Sequence, residues 1–167
     1  MNFVDLPTRS DIAFEPLTDA KYSAQTVQIL KNLCFGRCSE LNALSTYLYQ
    51  DWSFYPSMHE IANIMEQIAI VEMTHLDVLS NAIVAFGGKP DYTLDGVFWN
   101  ARSVNLNLIL PEAMRQNIVD EECAINAYEK AINKVDNLSL KRIFAKIIAD
   151  EKTHITIFRE ILRRLDK

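Results

Sequence analysis

Apolar residues recur along this chain at alternating steps of four and three, the spacing of a helix that buries one face. One series runs Ile61, Met65, Ile68, Glu72, His75, Leu79, Ala82 and Phe86. A second runs Met114, Ile118, Glu121, Ile125, Tyr128, Ile132 and Val135, and a third Leu140, Phe144, Ile147, Glu151, His154, Phe158, Ile161 and Leu165. The stretch from Asp19 to Asp51 carries two stripes, one through Val27, Leu30, Cys34, Leu41 and Leu48, the other through Leu33, Glu40, Leu44 and Tyr47. The pattern predicts four long helices. Ser57 and Glu60 form a capping box at the start of the second, and Gly87-Gly88-Lys89-Pro90 ends it. Pro111 marks the start of the third, and Asp136-Asn137 turns the chain into the fourth. Short connections join the first helix to the second and the third to the fourth, whereas residues from about 87 to 110 separate the two pairs. Short loops force antiparallel neighbours, so the expected architecture is all-α: two antiparallel helix hairpins joined by one long crossover into a four-helix bundle. Residues 1–18 form an N-terminal extension, and 19–167 form the bundle.

Composition narrows the class. The 167 residues are 49% hydrophobic, the content of one globular domain with its own core, and four glycines leave little material for a turn-dense β fold. A net charge of −5 without a Lys/Arg cluster argues against nucleic-acid binding. The N-terminus has no basic and apolar leader pattern, and no uninterrupted apolar run reaches membrane-spanning length, so a soluble cytoplasmic protein is expected. The three cysteines show no C-x-x-C, and all three are expected to be small buried hydrophobes.

The charged residues inside the apolar stripes carry the chemistry. Glu72-Met73-Thr74-His75 and Glu151-Lys152-Thr153-His154 are the same Glu-x-x-His tetrapeptide, in a chain with only three histidines. A three-residue step places glutamate and imidazole on one helical face, a two-toothed claw, and both claws lie on inward stripes. Glu40 and Glu121 also interrupt inward stripes, and Glu121, not Glu122, keeps the four/three spacing. Four ionised carboxylates in an apolar core would repel one another and cost several kcal/mol each to desolvate. Two divalent cations cancel that charge. The oxygen-rich set with two imidazoles favours iron or manganese over a thiolate-selected metal. Asp150 is a candidate acceptor for an imidazole N–H across the bundle. Tyr47 and Tyr128 are left open between core packing and a polar role, since a tyrosine in a helical stripe needs only one acceptor; Trp52 and Trp99 are read as packing residues, and His59 as a surface residue.

The stretch Glu40 to Trp52 resembles the first-helix motif of bacterioferritin; Glu72 to Pro90 resembles its second helix and exit, and Asp150 to Ile155 its fourth. The chain from about Ala20 to Leu165 is thereby similar to the ferritin-like superfamily of two-metal carboxylate proteins, rubrerythrins and bacterioferritins among them. That resemblance implies Glu40, Glu72, His75, Glu121, Glu151 and His154 as the centre, Glu72 and Glu151 bridging, Glu40 and Glu121 terminal, and Tyr47 as a hydrogen-bonding neighbour. Met73 stands where bacterioferritins carry the methionine that ligates an interface haem, although gap-filling is the commoner role of a bundle methionine. The implied function is a rubrerythrin-like oxidoreductase acting on hydrogen peroxide or O2. A ferroxidase and iron store, a manganese-dependent peroxide dismutase and a helical interaction protein with a structural metal are the alternatives. A separate electron donor such as a rubredoxin and a homo-oligomer, dimer or larger, are expected with it. Ala124 stands where many rubrerythrins carry a further third-helix glutamate.

Overall fold

The computed structural model describes residues 6–165. Its helices are α1 (Ala24–Phe35), α2 (Glu40–Phe54), α3 (His59–Ala85), α4 (Leu110–Ile132) and α5 (Leu138–Leu165). α2 packs on α3 and α4 on α5, giving two antiparallel hairpins joined by the crossover. The expected four-helix bundle is the observed one, with one change. The single first helix expected over 19–51 is broken into α1 and α2 at Gly36-Arg37-Cys38-Ser39.

Local chemistry explains the break. A Cβ on Gly36 would lie 2.5 Å from the Asn32 carbonyl oxygen, so only glycine allows the chain to fold so closely over the end of α1. Asn42 then donates from Nδ2 to the carbonyls of Gly36 and Arg37, at 2.8 and 2.7 Å, and accepts from Trp99 Nε1 at 2.7 Å. One buried amide therefore fixes the elbow and anchors the crossover to it.

The other ends follow, and correct, the sequence reading. Gly87 (φ +86°) closes α3 with its N–H on the Val84 carbonyl, and the Gly88 N–H reaches Ile83, the paired bonds of a Schellman turn. Asn137 accepts from the Leu140 N–H at 2.8 Å and caps α5. Ser57 does not cap α3. Its N–H, like that of Met58, bonds back to the Phe54 carbonyl and completes the end of α2, so Met58 takes the cap position with no side-chain bond. The crossover contains a hairpin, β1 (Thr93–Leu94) with β2 (Val97–Phe98), turned by Asp95-Gly96 with both residues at positive φ. Asp-Gly between short apolar pairs is a hairpin signal that the crossover sequence carried. Past the hairpin, Asn105 donates to Asn117 and to the Ala113 carbonyl, while Gln50 and Asn117 exchange amide bonds, pinning the crossover to α2 and α4.

Two apolar clusters fill the bundle. One gathers Leu30, Leu33, Leu79, Ile83, Tyr128, Phe144 and Ile147; the other gathers Phe54, Met65, Ile68, Met114, Phe158 and Ile161. α3 has the length and mean hydropathy of a membrane span, but Ile61, Met65, Ile68, Leu79 and Ile83 are buried inside the bundle. Trp52, expected to pack, is 65% exposed. Residues 1–5 of the extension lie outside the described residues; residues 6–18 lie along the bundle. Thr18 and Ser139 bond, Phe14 packs against the first apolar cluster, and Arg142 pairs with Glu15 on the surface.

Candidate metal centre

Between the two apolar clusters lies a polar layer to which α2, α3, α4 and α5 all contribute. Glu40, Glu72, His75, Glu121, Glu151 and His154 are each at most 2% exposed. Their ligand atoms fall into two overlapping groups: Glu40, Glu72, His75 and Glu151, and Glu72, Glu121, Glu151 and His154. Within each group the atoms lie within 4.8 Å of one another. Glu72 and Glu151 belong to both.

The oxygens divide between the imidazoles. His75 Nδ1 is 3.3 Å from Glu40 Oε2, 3.3 Å from Glu72 Oε2 and 3.4 Å from Glu151 Oε1. His154 Nδ1 is 3.0 Å from Glu72 Oε1, 3.3 Å from Glu121 Oε1 and 3.0 Å from Glu151 Oε2. Glu72 and Glu151 thus turn one oxygen toward each histidine, the disposition of a carboxylate that spans two cations. Two ligands about 2.1 Å from one cation and at right angles are about 3.0 Å apart, so these separations suit a metal at the middle of each group.

The far side of each imidazole fixes its proton. His154 Nε2 is 2.9 Å from the Thr8 carbonyl, which can only accept, so Nε2 carries hydrogen. His75 Nε2 is 3.0 Å from Asp150 Oδ2. Asp150 accepts from Lys146 Nζ at 2.6 Å and from the Ser10 N–H at 2.7 Å. Burial opposes its charge, but His75, Lys146 and the Ser10 amide hold its carboxyl well below the usual range, so it is an anion and His75 Nε2 is the donor. In a neutral imidazole each Nδ1 lone pair therefore faces carboxylate oxygens. That arrangement is repulsive unless a cation, or a proton, stands between.

Without a metal, protons take that place. Burial lowers the proton affinity of both imidazoles, but Glu151 and Asp150 around His75, and Glu121, Glu151 and Glu72 around His154, outweigh it and raise both pKa values. Burial, with the charges of Glu151 and Glu72, pushes Glu40 and Glu121 upward. Burial opposes charge on Glu72 as well, yet the two imidazoles hold it below the ordinary range. Both Glu72 oxygens lack an aligned hydrogen-bond donor among the described residues, because the two Nδ1 atoms close enough are aligned elsewhere, His154 on Glu151 and His75 on Glu40.

The terminal carboxylates have their own donors. Tyr47 O–H donates to Glu121 and Tyr128 O–H to Glu40. Burial and the neighbouring carboxylates raise both phenol pKa values, keeping them protonated donors. Tyr128, left open by the sequence between packing and a polar role, lies against the carboxylates of this layer; it is seven residues after Glu121 on the same stripe. Thr8, Ser10 and Phe14, which stacks edge-on with His75 at 6.2 Å, had no comparable signal. Met73 is 54% exposed on the outside of α3, away from this layer. His59 is exposed and stacks on Tyr55.

The family profile for rubrerythrin matches residues 31–162. The chain belongs to the rubrerythrin family. A curated relative of this rubrerythrin-family protein, the bacterioferritin of Desulfovibrio desulfuricans, is 27% identical over 142 residues, 83% of this chain and 74% of that one. Among solved structures, a manganese catalase from Anabaena superposes with a TM-score of 0.84 at 21% identity, covering 95% of this chain and 80% of its own. The D. desulfuricans bacterioferritin, solved with its diiron site in different catalytic states, gives 0.69 at 25% identity, covering 86% and 81%. The fold is that of the ferritin-like superfamily, and the buried carboxylate and imidazole groups could hold two metals.

The expectation that all three cysteines are isolated buried hydrophobes is corrected for two of them. Cys38 and Cys123 form a disulfide with a Cα–Cα distance of 5.8 Å; Cys34 alone is free and buried. The elbow brings Cys38 to α4 across 85 residues of chain, a proximity that no local spacing encodes.

Proposed function

We propose that this protein is a two-metal oxidoreductase of the rubrerythrin family that reduces hydrogen peroxide, with O2 as the related substrate, at a centre of two iron or two manganese ions. The observation that carries the reading is the pair of overlapping four-ligand groups sharing Glu72 and Glu151. The residues fit the metals. Both Glu72 oxygens are buried without an aligned donor, and each Nδ1 lone pair is aimed at anions by a partner on its far side. When bound, two redox metals exchange one electron each, so a two-electron reaction proceeds without release of a radical.

The protein supplies position, protons and exclusion. Glu72 and Glu151 are suited to bridging, Glu40 and Glu121 to terminal ligation, each terminal carboxylate steadied by its tyrosine. Asp150 and the Thr8 carbonyl orient the imidazoles, and the apolar clusters keep bulk water from the layer. On the side away from the histidines, a cavity of about 30 Å3 reaches the carboxylates of Glu40, Glu72, Glu121 and Glu151. A single water needs about 10–15 Å3, so this space suits peroxide or O2 and excludes organic substrates. Ser39 lines the cavity and is buried, and its hydroxyl has no partner among the described residues, which favours a polar occupant.

Reduction of peroxide needs two external electrons. Three cysteines, two of them in the disulfide, cannot form a four-cysteine iron site, so a rubredoxin-type donor would lie outside these 167 residues. The same observation favours, as second reading, dismutation of peroxide, which needs no donor. Peroxide consumption by protein loaded with iron or with manganese, with and without a reductant, tests both. Donor-dependent consumption supports the reductase, and release of one O2 per two peroxides supports dismutation. Glu72→Ala is expected to lower either rate at least 100-fold, and wild-type activity in that variant would refute the assignment.

A further inference from the structure

The disulfide occupies a place that its role as a staple does not require. Cys38 lies in the elbow two residues before Glu40, and Cys123 lies on α4 two residues after Glu121. These glutamates are the two that belong to one ligand group each. Cys38 also lines the small cavity that reaches the carboxylates, beside Ser39. On their other side, Cys38 and Cys123 together line an open surface groove of about 450 Å3 with Arg37, Lys130 and Lys134. Both cysteines are half-buried, whereas Cys34 is sealed in the apolar cluster. Cys38 thus borders the interior cavity, and the pair together borders a groove open to solvent. The elbow is already held by Asn42 on the Gly36 and Arg37 carbonyls, and α4 by its packing on α5.

We propose that Cys38 and Cys123 are a redox-active dithiol/disulfide pair that supplies the two electrons for peroxide reduction and is re-reduced by an external dithiol in the outer groove. The proposal rests on the reading of the site as a peroxide-reducing centre and names its electron donor by class. In the oxidative half, the two thiols lose two electrons and two protons as the S–S bond forms. The O–O bond of hydrogen peroxide breaks, takes up those electrons and protons, and leaves as two waters. In the reductive half, a thiolate of the external dithiol attacks one sulfur, a mixed disulfide forms, and its second thiol resolves it. The donor leaves as a disulfide, and the hydrogens of its two thiols end on Cys38 and Cys123. The pair delivers two electrons at once, the number that the O–O bond requires.

The experiment uses the full chain, metal-loaded and metal-free, reduced with dithiothreitol and freed of it. One equivalent of hydrogen peroxide is added, the reaction is stopped with iodoacetamide in denaturant, and thiols are counted by mass. The expected result is a fall from three alkylated cysteines to one, with one disulfide formed per peroxide consumed, at least ten times faster in loaded than in metal-free protein. Peroxide consumption sustained by dithiothreitol is expected to fall at least ten-fold in the Cys38→Ser/Cys123→Ser variant. If peroxide is consumed while three thiols remain, or the disulfide resists dithiothreitol in folded protein, the proposal is overturned and the peroxide-reducing reading stands. Equal rates of thiol loss with and without metal also overturn it. If reduced, loaded protein consumes no peroxide, both fall together.

Discussion

His154 shows how much of the centre is decided one residue at a time. Its spacing from Glu151 was legible in the sequence, because a claw needs only helical periodicity. What sets its Nδ1 toward the carboxylates is the Thr8 carbonyl, 146 residues away in a segment without periodicity. Asp150 is the intermediate case, adjacent to Glu151 of the Glu-x-x-His repeat and so nameable, but acting across the bundle on His75. Asp150→Asn is expected to weaken metal binding about 10- to 100-fold, read by chelator competition, because the neutral amide no longer strengthens the imidazole. Ser39→Ala is expected to raise the KM for peroxide several-fold with kcat little changed, the loss of about one hydrogen bond. The raised pKa values of His75, His154, Glu40 and Glu121 mean that the metal-free fold binds more protons than the unfolded chain. Their stabilisation is full below the unfolded values, about 6.5 for histidine and about 4.3 for glutamate, and is lost as pH rises through the folded ones. Glu72 acts in the opposite sense, its contribution present above the unfolded glutamate value and lost as pH falls through its depressed one. Metal-free protein should therefore melt lower at pH 9 than at pH 6, and metal affinity should rise with pH as cations displace those protons. A midpoint independent of pH would contradict the proton arrangement.

At the scale of elements, the bundle's long stripes were readable because one face of each helix is buried over many turns. The break between α1 and α2 interrupts that pattern at Gly36, a local signal, and is held by Asn42, which the crossover's Trp99, 57 residues away, anchors in turn. Ser57 failed as a cap for a related reason: α2 ends so close to α3 that the same residues serve the first helix's terminus. The disulfide likewise joins elements that only the folded bundle makes neighbours. Closing so long a loop constrains the unfolded chain, and its reduction is expected to cost about 2–4 kcal/mol, lowering the melting temperature by several degrees. An unchanged midpoint after reduction would show that the elbow is held entirely by Asn42 and its neighbours.

For the whole molecule, the centre sits between two apolar clusters and touches four helices, so metal bound there would be coupled to folding. The sequence made the six inward residues and the two hairpins visible because they share one cause, the periodic inward stripe. It did not show the covering segment or the disulfide, which arise only when distant parts of the chain meet. Ligand that binds only the folded state stabilises it by about 4 kcal/mol at a thousand times its dissociation constant, so chelation should lower the unfolding midpoint of the loaded protein. The most direct test of the two-metal centre is the metal content of protein purified from its native host, beside the Glu72→Ala variant prepared identically. The account predicts two iron or two manganese ions per chain in the wild type and neither retained tightly in the variant. Two tightly bound metals in Glu72→Ala, or a wild type that holds none, would contradict it.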